Sequence, residues 1–149
     1  MRFTKVLVGV ITLAGCGDNT PSEPPCTGGY HVCRGQLRDP EERALVLRGV
    51  NLAGAHKHAP YTDDFTPADY ARLRTWGFST VRFLITWAAI EPARGTYDDA
   101  YLDWVAERMQ WAKDTGLHVV VDMHQDVYGE GFGFDGAPRW TCDESRYTA

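Results

Sequence analysis

The sequence carries no excess of positive charge. Its 15 lysines and arginines are outnumbered by 20 aspartates and glutamates, which gives a formal net charge of -5. Proteins that bind nucleic acid present a basic face that displaces counterions from phosphate. We therefore expect no nucleic-acid partner. The hydrophobic and charged fractions, 44% and 23%, are those of an ordinary folded protein.

The sequence also lacks an apolar run long enough to cross a bilayer as a helix, which takes about 20 residues. Its N-terminal run, from Val6 to Leu13, is shorter; Arg2 and Lys5 precede it, and Leu-Ala-Gly leads into Cys16. This order resembles a bacterial lipoprotein signal, in which cleavage leaves the cysteine as the lipid-bearing first residue. We expect an exported lipoprotein of the cell envelope, anchored to a membrane through Cys16. An ordinary cleaved secretion signal, which gives a secreted protein, is the alternative.

Cysteine is scarce, with four residues in the chain. Besides Cys16, the sequence has Cys26 and Cys33 in a Gly-rich segment and Cys142 near the end. In an exported chain we expect a Cys26–Cys33 disulfide that closes a small loop, which leaves Cys142 unpaired. A zinc site is the alternative, although the sequence has no second matched pair of thiols to complete it.

These features divide the chain into three segments. Residues 1–16 are predicted to be a signal peptide that ends at the lipid-bearing cysteine. Residues 17–43 are predicted to be a Pro/Gly-rich tether that includes the small cysteine loop. Residues 44–149 are predicted to form the folded part of the protein.

Strands and helices alternate in this folded part. The predicted strands are 45–51, 79–87 and 117–124, and the predicted helices run from Thr66 to Trp76 and from Asp98 or Asp99 to Thr115. Tyr70, Leu73 and Trp76 mark the buried stripe of the first helix, and Leu102, Val105, Met109 and Ala112 mark that of the second. Strands joined through helices run parallel, in either an open doubly wound sheet or an eight-unit barrel.

A missing glycine motif favours the barrel over the open doubly wound sheet. The first strand-to-helix connection, "GVNLAG", lacks the Gly-x-Gly-x-x-Gly run of dinucleotide-binding sheets. A closed (β/α)8 barrel usually needs about 250 residues, whereas this chain supplies about three units. We therefore predict an α/β fold that corresponds to about the first three βα units of a TIM barrel.

Polar residues follow the third predicted strand, in "DMHQD". The active sites of parallel barrels are built at the carboxyl ends of the strands, so such residues indicate function. We predict that Asp122 pairs with Arg82 of the neighbouring strand, because a buried acid needs a partner. His124 and Asp126 are predicted to contact a ligand, because so many polar groups are costly to bury for packing alone.

A metal-dependent hydrolase is a less favoured interpretation of the same residues. Asp122, His124 and Asp126 occupy alternate positions, as metal ligands on one face of a strand can. His56 and His58 form a His-x-His pair. That pair, however, comes well after the predicted strand end. We expect it to be exposed and without function, and we predict no metal site.

Aromatic residues favour a carbohydrate ligand. Sugar sites combine carboxylate and amide groups for the hydroxyls with aromatic faces for the C–H side of the ring. The predicted mouth loops contain five such side chains: Trp87, Tyr128, Phe132, Phe134 and Trp140.

Three segments, "LRGVNLAG", "TVRFLITWAAIEPARGTYD" and "VVVDMHQDVYG" with the later "GAPRW", resemble glycoside hydrolase family 5, and within it the endoglycoceramidase-like members. The resemblance implies a retaining glycosidase without a cofactor, acting on a carbohydrate or glycolipid through two glutamates. In that family the glutamates follow the fourth and seventh strands, which this sequence does not include. Glu91 and Glu130 are not expected to replace them. We therefore expect the 149 residues to be catalytically inactive by themselves.

The resemblance also implies roles for individual residues. Arg82 matches the arginine that supports the nucleophilic glutamate, and His124 matches a histidine beside the reacting centre. Asp126, with Gln125, Lys57 and Trp87, is expected to bind the substrate. A carbohydrate-binding surface lipoprotein without catalytic activity is the main alternative to an enzyme.

Overall fold

The computed structural model describes residues 28–143 and Ser145. The predicted signal peptide, Cys16 and Cys26 lie outside these described residues. The chain divides into two compact units between residues 45 and 46. Along the described chain, no helix combines the length and apolar character needed to span a bilayer.

The first unit contains a short antiparallel hairpin. Its strands, β1 (His31–Cys33) and β2 (Gln36–Arg38), pair with Val32 opposite Leu37. Arg34 and Gly35 between them both have positive φ, the combination that tight two-residue hairpin turns require. Cys33 is disulfide-bonded, whereas its predicted partner Cys26 is not described. Sequence patterns predicted no strands in this segment.

The second unit contains a parallel sheet of three strands in the order β3-β4-β5. The strands are β3 (Gly49–Leu52), β4 (Thr80–Ile85) and β5 (His118–Met123). Asn51 is paired with Arg82, and Arg82 with Val120, so these residues share one face of the sheet. The predicted parallel order is confirmed, although β3 begins four residues later than predicted.

The described residues contain three α-helices after β3 and β4: α1 (Pro67–Thr75), α2 (Trp87–Ile90) and α3 (Asp99–Asp114). The predicted start of α1 is confirmed, because Thr66 and Asp69 form a reciprocal capping box before Pro67. The carboxylate of Asp98 likewise caps α3 by accepting from the Tyr101 N–H. The predicted second strand was too long, because β4 ends at Ile85 and the following residues turn into the short α2.

The core lies between one face of the sheet and helices α1 and α3. Its buried members include Val81 and Phe83 from β4, Tyr70 from α1 and Ala112 from α3. Two predicted core positions are wrong. Trp76 is 66% exposed just beyond the end of α1, and Leu102 is 39% exposed.

The face that α3 buries explains the second of these corrections. Tyr101, Arg108 and Ala112 are the buried residues of the helix, and Val105 and Met109 are partly buried beside them. The buried stripe is therefore rotated by one residue from Leu102 to Tyr101, whose aromatic ring stacks on Trp104.

Candidate active site

Arg82 and Asp122 meet on the sheet face opposite the helix-packed core. The Arg82 Nη2 donates to Asp122 Oδ2 at 2.7 Å across β4 and β5. The predicted pairing is confirmed, but the side chains are only partly buried, with 39% and 24% of their surfaces exposed. This ion pair therefore lies at an accessible wall of the unit rather than in its core.

His124 extends this pair beyond the end of β5. Its backbone N–H donates to the Ile85 carbonyl, which continues the parallel ladder for one more residue. Its ring Nδ1 lies 2.9 Å from Asp122 Oδ2, the same oxygen that Arg82 contacts. Because a carboxylate only accepts, this contact assigns the proton to Nδ1 and directs Nε2 away from the strand.

Lys57 and Asp126 connect the loop after β3 with the loop after β5. The Lys57 Nζ donates to Asp126 Oδ2 at 2.6 Å. This hydrogen bond raises the pKa of Lys57 and lowers the pKa of Asp126 below its usual range. Both groups are therefore charged at neutral pH. The structure thus brings four of the predicted site residues together: Lys57, Arg82, His124 and Asp126.

Asp135 is a member of the site that sequence analysis missed. Its side chain is 5% exposed, and its carboxylate lies 3.8 Å from His124 Nε2 and 4.0 Å from the Lys57 Nζ. Its backbone carbonyl accepts from the Asp126 N–H at 2.9 Å. The Gly-rich segment around it suggested only a loop. The one sequence feature that pointed to Asp135 was its position directly before Gly136, Ala137 and Pro138, a run that is buried in the structure.

The prediction that His56 is exposed is wrong. Its ring is completely buried, with Nδ1 2.7 Å from the Leu84 carbonyl and Nε2 bonded to the Asp63 carboxylate. The Asp63 carboxylate also lies 3.9 Å from the Arg108 Nε. His58 is exposed, as predicted. The two histidines therefore do not form a metal-binding pair, and His56 instead anchors the loop that carries Lys57.

One group of described side chains has the composition and spacing of a metal site. It consists of His124, Asp126 and Asp135, with one ligand atom of each within 4.8 Å of the others. Asp122, which the metal interpretation included, is instead hydrogen-bonded to Arg82 and to Nδ1 of His124.

Comparison with known proteins identifies the family. The profile of cellulase (glycosyl hydrolase family 5) matches residues 40–149. The chain belongs to glycosyl hydrolase family 5.

Its relatives within family 5 are glycosidases. A glucosylceramidase of Aspergillus fumigatus is 35% identical over an alignment 130 residues long, gaps included; the match covers 70% of this chain and 17% of the relative. Endoglycoceramidase I of Rhodococcus hoagii is 36% identical over 110 residues, or 72% of this chain and 22% of the relative. This family 5 chain therefore spans about a fifth of the length of these curated relatives.

A solved structure assigns the fold. Endo-glycoceramidase II from Rhodococcus sp., in complex with a five-membered iminocyclitol, superposes with a TM-score of 0.64 and 46% identity over 70% of this chain and 25% of that chain. The three parallel strands and their helices are part of a (β/α)8 barrel, as predicted. The polar cluster lies where such barrels carry their active sites, at the carboxyl ends of the strands.

Trp87 lies at the start of α2 in this family 5 chain. Its indole N–H donates to Glu91 Oε2 at 2.7 Å, and its ring packs edge-on against Trp140 at 5.4 Å. The Gly95 N–H donates to the other oxygen of Glu91. The Gly95 and Trp87 hydrogen bonds together lower the pKa of Glu91. Glu91 lies at the end of α2, where it is held as an ionised acceptor.

Glu130 has a similar structural engagement. It accepts from the Tyr61 hydroxyl and, at 2.9 Å, from the Arg139 backbone N–H. These contacts join the loop after β3 to the loop after β5. A cleft of about 390 Å³ lies along this junction and includes Lys57, Tyr61 and Phe134 in its lining.

The remaining predicted ligand contacts are solvent-accessible. Gln125 is exposed directly after His124. Tyr128, Phe132 and Phe134 are also exposed, and the first two pack edge-on with their ring centroids 6.3 Å apart. The loop after β5 therefore presents one amide and three aromatic rings beside the polar cluster.

Proposed function

We propose that this family 5 protein is a retaining glycosidase that hydrolyses the O-glycosyl bond of a glycolipid. The observation that carries the proposal is the convergence of Lys57, Arg82, His124 and Asp126 at the carboxyl ends of three parallel strands. Similarity to a glucosylceramidase and to endoglycoceramidases supports a glycolipid as the substrate.

Retention requires two carboxyl groups about 5–5.5 Å apart, one to protonate the leaving oxygen and one to attack the anomeric carbon. Arg82 would donate to the attacking carboxylate and keep it ionised. One of its nitrogens bonds to Asp122, which fixes the guanidinium while its other N–H groups remain to meet the nucleophile.

His124 and Asp126 would bind the hydroxyls of the sugar whose bond is cleaved. Asp126 is charged and oriented by Lys57 before any substrate binds, so binding would not require its carboxylate to be reorganised. Lys57 would donate to a neighbouring hydroxyl. Gln125 and Trp87 would complete the polar and aromatic contacts.

The acid and the nucleophile would come from strands other than the three described. Glu91 and Glu130 are occupied by structural hydrogen bonds, so we propose that the 149 residues alone are inactive. Hydrolysis of a fluorogenic β-glycoside by the purified chain, above the rate in buffer, would contradict this proposal.

A chimaera tests the glycosidase proposal directly. Residues 44–140 of this chain would replace the matching segment of the Rhodococcus endo-glycoceramidase II, with folding checked by circular dichroism and thermal melting. We expect the folded chimaera to hydrolyse glycosylceramide with retention at the anomeric carbon, observed by NMR. A folded chimaera without activity would refute the proposed role of this segment.

Matched variants assign the role of His124. In the chimaera, His124→Gln should lower kcat/KM on the order of 100-fold, because it misplaces a contact to the reacting sugar. His58→Gln should have the activity of the parent chimaera. Equal activity in both variants would exclude His124 from the sugar site.

We further propose that the protein is an exported lipoprotein with its lipid on Cys16. The basic residues, the short apolar run and the Leu-Ala-Gly-Cys order support this proposal. In a bacterial host fed labelled palmitate, the parent chain and Cys26→Ser should incorporate label in the membrane fraction, and Cys16→Ser should not. Label retained by Cys16→Ser, or release of the parent chain into the medium, would refute the anchor.

A further inference from the structure

Three potential ligand atoms, one each from His124, Asp126 and Asp135, converge in the polar cluster. His124 Nε2 lies 3.6 Å from Asp126 Oδ1 and 3.8 Å from Asp135 Oδ2. Both distances exceed that of a hydrogen bond. His124 Nε2 and Asp135 Oδ2 are inaccessible to solvent, and neither has a hydrogen-bond partner among the described residues. Buried polar atoms without a partner are costly, so this arrangement requires an explanation.

The two ring nitrogens of His124 have different surroundings. Its Nδ1 faces the Asp122 carboxylate at 2.9 Å. Its Nε2 faces two carboxylate oxygens without a hydrogen bond to either. Lys57 is not the partner of these atoms, because it approaches the other oxygen of each carboxylate, Asp126 Oδ2 at 2.6 Å and Asp135 Oδ1 at 4.0 Å.

We infer that His124, Asp126 and Asp135 form a binding site for one divalent transition-metal ion. Tetrahedral ligands with bonds of 2.0–2.2 Å lie roughly 3.3–3.6 Å apart. The two distances from His124 Nε2 are close to this range, and all three ligand atoms lie within 4.8 Å of one another. One imidazole and two carboxylates suit Zn²⁺, Co²⁺ or Mn²⁺. Asp122 holds the ring as carboxylates commonly hold metal-binding histidines, through the nitrogen that does not face the ion.

The bound ion would have a consequence for the proposed hydrolysis, although the site itself does not rest on that function. It would take the lone pairs of His124 and Asp126 that are proposed to meet sugar hydroxyls. Metal and sugar would therefore compete, and the ion would be an inhibitor rather than a cofactor. Metal binding to the purified chain can be measured without any catalysis, so the two proposals can fail separately.

Cobalt is a suitable probe because Cys142 is a free thiol that could bind metal by itself. Co²⁺ is titrated into the purified 149-residue chain by calorimetry and followed by visible absorption. We expect one ion per chain with nitrogen and oxygen ligands and without a thiolate-to-cobalt charge-transfer band. No binding, or a spectrum dominated by thiolate, would overturn the assignment and leave a buried water or a doubly protonated ring as the content of the site.

Matched substitutions locate the ion. Asp135→Asn and His124→Gln should each weaken Co²⁺ binding at least tenfold, and Asp122→Asn about tenfold. Asp64→Asn and His58→Gln, which change exposed residues of the loop after β3, should bind as the parent does. Circular dichroism verifies folding, and Asp126→Asn provides a half-exposed ligand variant if Asp135→Asn does not fold. Equal losses in ligand and control variants would indicate adventitious surface binding and overturn the site.

The Co²⁺ affinity of Lys57→Met distinguishes a metal site from a cluster of side chains that only stabilises the fold. Removing the ammonium beside two carboxylates removes a charge that repels the ion, so Co²⁺ should bind about tenfold more tightly. Unchanged or weaker binding in folded Lys57→Met would contradict an ion beside Lys57.

Discussion

Arg82 and His124 share one oxygen of Asp122. The guanidinium approaches that oxygen from β4 at 2.7 Å, and the imidazole approaches it from beyond the end of β5 at 2.9 Å. One carboxylate thereby fixes both the cation proposed to support a nucleophile and the ring proposed to contact the sugar. Substitution of Asp122 should consequently affect stability and site geometry together.

Asp122→Asn should lower the free energy of unfolding by about 1–2 kcal/mol, since it weakens two charge-assisted hydrogen bonds that are only partly buried. Urea unfolding monitored by tryptophan fluorescence measures the change. Asp143→Asn, which alters an exposed acid near the end of the described chain, is the control. A loss no larger than that of the control would show that the shared oxygen contributes nothing to stability.

Lys57→Met should reduce the dependence of the unfolding free energy on pH in the acidic range. The pKa of Asp126 is held below its ordinary value of 3.8 by Lys57, so the native state gains stability above that value and loses it as the pH falls further. The pKa of Lys57 is raised above 10.5, so its contribution is complete below that pH and is lost as the pH rises beyond it. The contact therefore stabilises the protein between about pH 4 and pH 10.5.

Urea unfolding from pH 2 to pH 7 provides the measurement for this pair. The slope of unfolding free energy against pH should be smaller in Lys57→Met than in the parent below pH 4. Lys113→Met, at an exposed position of α3, should retain the parental slope. Identical acid limbs for the parent and Lys57→Met would contradict the contact.

His56→Ala should destabilise the second unit by about 2–4 kcal/mol. The substitution leaves a cavity and removes the ring that bonds the buried Asp63 carboxylate, which then has the more distant Arg108 nearby. His58→Ala should change stability by less than about 0.5 kcal/mol because its side chain is exposed. Denaturant unfolding compares the two variants, and similar values would refute the anchoring role of His56.

Gly129→Ala should be much more harmful than Gly133→Ala. Both glycines have positive φ, but a Cβ on Gly129 would lie 2.2 Å from the Ala137 carbonyl oxygen, whereas one on Gly133 would meet nothing within 4 Å. Strain alone should cost Gly133→Ala about 1–2 kcal/mol. The additional clash should shift the melting temperature of Gly129→Ala well below that of Gly133→Ala, and equal melting temperatures would show that the loop relaxes freely.

The sequence predicted best the features that depend on local chemistry. The capping box at Thr66 and Asp69 fixed the start of α1, and the acid at 98 fixed that of α3. It predicted least well the limits set by pairing. The β-rich residues 45–48 precede β3 but remain outside it, because the parallel ladder to β4 begins at Gly49 opposite Thr80. The four-residue α2 was too short to show a helical period.

The same distinction applies to the site. The Arg82–Asp122 pair could be predicted, because alternation along two adjacent strands places both on one face. The positions of Asp135 and His56 could not, since each depends on how a loop folds back over the ends of other strands. His56 reaches the carbonyl of Leu84, and Asp135 approaches Lys57 across the junction of two loops. No local pattern reports such contacts.

The loop after β5 closes on itself where Gly129 lies against Ala137, with the two backbones joined as a parallel bridge. Between these points Glu130 is hydrogen-bonded to Tyr61 and to the Arg139 backbone, while the aromatic rings of Phe132 and Phe134 are partly exposed. Related proteins could therefore alter ligand preference by exchanging the outward rings on an unchanged frame. Lengthening the segment would have to break the closure first, so divergence here should proceed through side-chain replacement before insertion.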